Sequence, residues 1–168
     1  MMKKVAIVMG SNSDAPVMLA ATETLDRFGI EYEVEVMSAH RSPEQVRSFV
    51  EKARERGFGV IIAGAGGAAH LAGVVAAHTT LPVIGVPLDS SPLHGVDALY
   101  STVQMPAGVP VACVAIGKPG AINAGVLAAQ LLGITDEGIA RKLDEHRRGM
   151  AEEVARKSAE LKASWRRT

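Results

Sequence analysis

Short apolar runs alternate along this chain with longer stretches whose apolar residues recur every three or four positions. The runs "VAIVM" (5–9), "YEVEVM" (32–37), "VIIAGA" (60–65), "PVIGVP" (82–87) and "VPVACVAI" (109–116) have the length and β-branched character of buried strands. Between them, "APVMLAATETLDRFG" (15–29) reads as a helix with Pro16 in its first turn and Gly29 as its stop. "SPEQVRSFVEKARERG" (42–57) reads as a second, with Ser42 as cap, Pro43 at the first position, Gln45 closing a capping box and Gly57 as stop. "GGAAHLAGVVAAHT" (66–79) and "GAINAGVLAAQLLG" (120–133) complete the set, and 89–110 reads as one long connection.

Strands that alternate with helices pair in parallel, because a parallel neighbour needs a crossover connection. The expected fold is therefore α/β, a three-layer αβα arrangement around a parallel sheet. In such sheets ligands sit beyond the carboxyl ends of the strands, near the reversal in strand order. Chemistry is to be sought in the loops at 10–14, 38–42, 64–70, 88–105 and 117–120.

Residues 135–168 differ from the rest. Thr135 or Asp136 can cap a helix of about 30 residues, about 45 Å long, with Ile139, Leu143, His146, Met150, Val154, Leu161 and Trp165 on one stripe. The chain thus divides into an α/β catalytic domain at 1–134 and a C-terminal helix of the same domain at 135–168. So long a helix overruns a domain of this size, so its stripe is expected to pack partly on another subunit.

Composition narrows the function classes. The 168 residues carry 18 acidic and 18 basic side chains. That balance is unlike the basic excess of a general nucleic-acid binder, although a local anion site remains open. The lone cysteine, Cys113, has no partner for an intrachain disulfide, and no Cys/His metal spacing occurs. No apolar run approaches the roughly 20 residues that span a bilayer. No membrane association and a cytoplasmic setting are expected.

Three loops carry candidate chemistry. In "GSNSD", the hydroxyls of Ser11 and Ser13 and free amides at a helix start can hold a phosphate, and Asp14 suits a ribose hydroxyl pair; equally, Ser13 or Asp14 simply caps the helix. In "SAHRSP", Arg41 can bind phosphate oxygens, and His40 is the residue type that exchanges a proton near neutrality; such a His–Arg pair can also be plain surface. In "AGAGGAAH", the bare backbone at Gly66, Gly67 and Ala68 lets a ligand lie close, unless it serves only helix–sheet packing. His70 either touches ligand or starts the helix.

The segments "VMGSNSD", "VEVMSAHRSPEQ", "VIIAGAGGAAHLAGVVAAHTTLPVIGVPLDS" and "GVDALYSTVQMPAGVPVACVAIGKPGAINAG" together resemble the N5-carboxyaminoimidazole ribonucleotide mutase family of purine biosynthesis. The resemblance implies a flavodoxin-like homo-octamer without metal or organic cofactor. It also implies transfer of a carboxylate from an exocyclic nitrogen to carbon 4 of an aminoimidazole ribonucleotide. It gives Ser11, Ser13, Asp14, Ser38 and Arg41 to substrate binding, His40 to general acid/base work, and Gly66, Gly67, Ala68 and His70 to the wall around the transferred group. Ala72, Val74, Ala98 and Pro119 depart from frequent family residues but touch none of these positions. Two alternatives stand beside this reading: direct carboxylation of aminoimidazole ribonucleotide by carbon dioxide, and a non-catalytic ribonucleotide-binding module.

Overall fold

The computed structural model describes residues 3–165. Five strands form one parallel sheet: β1 (Lys4–Met9), β2 (Tyr32–Val36), β3 (Phe58–Gly66), β4 (Val83–Leu88) and β5 (Ala112–Cys113), in the order β2-β1-β3-β4-β5. This is the flavodoxin-like order, and its reversal lies between β1 and β3. The helices are α1 (Ala15–Phe28), α2 (Pro43–Glu51), α3 (Leu71–Ala77), α4 (Val96–Val103), α5 (Lys118–Gly133) and α6 (Glu137–Trp165).

Alternation along β1 explains the two cores. Val5, Ile7 and Met9 face α1 and α5, where Met18, Leu25, Ala124 and Ala128 bury against them. Ala6 and Val8 point the other way, into Val46, Phe49 and Val50 of α2 and Leu71, Ala72 and Val75 of α3. A strand buried on both faces has no polar position to spare, which is why its sequence reads as a continuous apolar run. Among the described residues no helix is long and apolar enough to cross a membrane.

Four elements depart from the expectation. The supposed loop at 89–110 contains α4. That helix buries only small side chains, Ala98 and Thr102, and leaves Val96, Tyr100 and Val103 exposed, as is Leu93 just before it, so its outline in the sequence is inverted. β5 shrinks to two residues at the sheet edge. Pro110 lacks the N–H that a longer ladder would need. α2 stops at Glu51, and a series of tight turns carries the chain on to Gly57. Finally, Ser42 makes no capping bond to α2. Its hydroxyl instead accepts from the Ser38 amide at 3.0 Å and meets the Ser38 carbonyl at 3.3 Å, closing the loop that precedes the helix.

α6 docks only by its first turns. Asp136 caps it, its carboxylate accepting from the Ile139 amide at 3.0 Å. Ile139 is buried, Lys142 donates to the Phe28 carbonyl at 2.8 Å, and His146 sets its ring edge-on to Phe28. Beyond that, Met150, Val154 and Leu161 are exposed.

Candidate functional site

The loops that follow β1, β2, β3 and β4 meet at the reversal in strand order and enclose a cavity of about 390 Å³. Its wall includes Ser11, Ser13, Asp14, Ser38, His40, Arg41, Gly66 and His70. Gly67 and Ala68 lie outside that wall, on the crest of the turn. The turn needs left-handed backbone at Gly67 (φ 59°) and also takes it at Ala69 (φ 38°), where a side chain makes it costly. That strain aims the chain back so that His70, next after Ala69, faces the cavity. A larger, apolar recess of about 480 Å³ lies at the opposite end of the sheet, between Thr79–Val83 and Gly108–Ala112, and none of its lining residues is ionisable.

Part of the cavity wall is a hydroxyl-rich turn with a guanidinium across it. The Ser11 hydroxyl accepts from the Ser13 amide at 3.3 Å and the Ser13 hydroxyl at 2.9 Å. The Ser11 amide donates to the Asp14 carboxylate at 2.9 Å, so Ser11 and Asp14 cap a 3-10 turn, Asn12–Asp14, reciprocally. Asp14, one of the two positions the sequence offered, holds the N-cap position of α1 but makes no side-chain capping bond to it; its carboxylate serves the turn before. Arg41 lies across the same loop: Nη2 donates to the Gly10 carbonyl at 2.7 Å, and Nε reaches the Ser38 hydroxyl at 3.4 Å. Of the five guanidinium N–H groups, three remain for a ligand. A second recess on the other side of Arg41, lined by Asn12, Val36 and Ser42 among others, leaves that side chain with open space on both flanks.

Asp14 is almost fully buried. Burial pushes its carboxyl above the usual carboxylate range; the Ser11 amide and the Arg41 charge pull the other way without cancelling it. A carboxyl whose pKa is raised on folding contributes stability below the unfolded pKa, and that contribution is lost as pH rises through the folded one. At neutral pH the ionised Asp14 therefore weakens the fold. Asp14→Asn, which keeps an oxygen for the Ser11 amide, is expected to melt higher than the parent at pH 7, with the gap closing as pH falls toward 4. Thermal unfolding across that range checks the sign; a lower melting temperature at pH 7 contradicts it.

The wall also carries two histidines in contact. His40 Nε2 and His70 Nδ1 stand 2.8 Å apart, rings edge-to-face at 77°. One nitrogen must donate and the other accept, so both cannot be protonated while the bond lasts. Thirty positions separate the two in sequence, and only the adjacency of the β2 and β3 loops, each one strand from β1, brings them together. The sequence marked each singly but not their bond. Ser90, from the loop after β4, also lines the cavity and was not singled out; its only signal was its place after a strand. Among the described residues no three His, Cys, Asp or Glu side chains converge as a metal site.

Fold and site together define a doubly wound α/β protein with an arginine, serines and a bonded histidine pair around one switch-point cavity. The chain belongs to the AIR carboxylase family, whose model matches residues 4–153. It is 57% identical over 157 residues to an N5-carboxyaminoimidazole ribonucleotide mutase of Bacillus subtilis, covering 94% of this chain and 97% of that one. To the mutase of Thermotoga maritima it is 56% identical over 160 residues, covering 95% and 92%. Among solved structures, Treponema denticola PurE superposes with a TM-score of 0.86 at 31% identity, covering 95% of this chain and 99% of that one.

Proposed function

We propose that the protein is an N5-carboxyaminoimidazole ribonucleotide mutase, an isomerase of purine biosynthesis that yields 4-carboxy-5-aminoimidazole ribonucleotide. The observation that carries the mechanism is that one cavity wall holds Arg41, Ser11, Ser13 and Ser38 together with the bonded His40–His70 pair. Ser11, Ser13, Ser38 and Arg41 hold the phosphate, and Asp14 takes the ribose hydroxyls. This places the imidazole ring between Gly66 and His40.

Protonated His40 gives its proton to the carbamate nitrogen as the N–C bond breaks, releasing carbon dioxide beside the neutral aminoimidazole. The electron-rich ring carbon 4 then attacks the carbon dioxide, and neutral His40 removes the hydrogen from that carbon. The proton given to nitrogen is thereby regained from carbon, and the cycle closes. His70 is the partner that holds the imidazole in place through both transfers. Proximity matters most here, since carbon dioxide that escapes aborts the rearrangement. Gly66 serves as bare backbone beside the transferred group, and Gly67 supplies the left-handed turn behind it. With substrate carrying a labelled carboxylate in unlabelled bicarbonate, the product is expected to keep most of the label. Full washout on the time scale of turnover would defeat the retention mechanism.

The unit 1–134 is the catalytic body, and 135–168 is its assembly helix. The protein is read as a cytoplasmic homo-octamer. Self-assembly is supported by the exposed apolar residues Leu93, Val96, Tyr100 and Val103 around α4, and by Met150, Val154 and Leu161 on α6. Such clusters are unusual on a monomer. Truncation after Gly149 is expected to lower the assembled mass in light scattering; an unchanged mass would remove α6 from the interface.

A further inference from the structure

Ser90 is the one cavity hydroxyl that the mechanism leaves idle. The other three serines are committed: Ser11 and Ser13 to one another, and Ser38 to Arg41. Ser90 has no hydrogen-bond partner among the described residues, yet it lines the same cavity.

Its position follows from strand register. Gly66, the last residue of β3, pairs with Leu88, the last of β4. Two residues further on, the β4 loop folds Ser90 back over the end of β3. A Cβ at position 66 would stand 1.7 Å from the Ser90 hydroxyl oxygen and 3.0 Å from its Cβ. The hydroxyl therefore occupies the space that any side chain at 66 would need. The loop behind it is held firmly by two turns, with the Leu93 amide on the Ser91 hydroxyl at 3.2 Å and the His94 amide on the Ser91 carbonyl at 3.0 Å, and by left-handed backbone at His94 and Gly95. It then runs directly into α4.

Ser90 thus lies against Gly66 at the end of β3, in a cavity wall it shares with His70. With the phosphate at Arg41, the reacting ring and the carboxylate moving on it are read as lying against the rest of the wall, which includes Gly66 and Ser90. We infer that the Ser90 hydroxyl donates a hydrogen bond to the carboxylate being transferred, and that it determines how much of the released carbon dioxide is recaptured. Ser90 is exposed, so its hydroxyl is open to a carboxylate oxygen that enters the cavity. Held by Ser90 as the carbamate and again as the ring carboxylate, the group stays beside carbon 4 rather than diffusing out.

The inference rests on the mutase reading, and the test separates the two. Wild type, Ser90→Ala and Ser90→Thr are each supplied with N5-carboxyaminoimidazole ribonucleotide, and both products are followed: ring-carboxylated ribonucleotide and free aminoimidazole ribonucleotide. Binding of ribose 5-phosphate is measured in parallel, as a check on phosphate binding and on folding. Ser90→Ala is expected to lower kcat/KM about tenfold and to raise severalfold the fraction lost as free aminoimidazole ribonucleotide. Ribose 5-phosphate affinity should not change, and Ser90→Thr, which keeps a hydroxyl, should restore the partition. A wild type that fails to isomerise the substrate defeats the mutase reading itself. A competent wild type with an Ala variant of the same rate and partition defeats the role of Ser90. So does an Ala variant that loses ribose 5-phosphate affinity in step with activity.

Discussion

Asparagine in place of His40 leaves ribonucleotide binding nearly intact and lowers turnover by about 10²–10⁴-fold, the contribution of a positioned general acid–base group. The upper part of that range is the expected one, because the same imidazole serves both steps. Without it the carbamate nitrogen has no donor, and the hydrogen on carbon 4 has no acceptor. Asparagine is too short to keep the bond that Nε2 makes to His70 at 2.8 Å, but Arg41 still ties the loop through the Gly10 carbonyl and the Ser38 hydroxyl, so the loops should keep their places. The loss should therefore fall on kcat, with KM close to the parent value, the pattern of a group that acts only in the transition state. Steady-state kinetics with direct ligand titration checks this; near-parental turnover would end the assignment of His40.

Alanine at Arg41 has the opposite signature. A charge-assisted hydrogen bond contributes about 1.5–3 kcal/mol, so losing one contact to phosphate already costs about tenfold to 10²-fold in affinity. Arg41 also ties the β1 loop to the β2 loop through the Gly10 carbonyl and the Ser38 hydroxyl. KM is expected to rise by about 10²-fold or more, in parallel with a weakened inhibition constant for ribose 5-phosphate. Lysine should recover only part of this, since an ammonium cannot hold Gly10 and a phosphate in one plane. An unchanged KM in Arg41→Ala would remove the phosphate from this side chain.

The sequence disclosed those elements whose burial is uniform along their length. β1, β3 and β4 are covered on both faces and could be read as unbroken apolar runs. α4 could not, because its buried side is Ala98 and Thr102 while its large residues face outward. Periodicity reports on burial within one chain, and a helix whose bulky face points away from that chain falsifies the pattern. The candidate site divides in the same way. Ser11, Asp14, His40 and Arg41 sit in loops whose composition is chemically suggestive. The His40–His70 bond and the closure of Ser90 on Gly66 depend on strand order and register, which local composition does not encode.

The same geometry limits what can be changed at the turn after β3. Gly66 has no room for a Cβ beneath Ser90, and Ala69 already holds a left-handed conformation. The turn is tight because β3 stays in the sheet as far as Gly66 while His70, four residues on, must face back across the cavity to His40.

The most direct test of the account compares two substrates. The protein is given N5-carboxyaminoimidazole ribonucleotide without added bicarbonate, and separately aminoimidazole ribonucleotide with bicarbonate, and formation of 4-carboxy-5-aminoimidazole ribonucleotide is followed in each. The expected result is rapid isomerisation of the first, unaffected by bicarbonate, and little product from the second. Rapid bicarbonate-dependent carboxylation of the second, with the first left unconverted, would contradict the account.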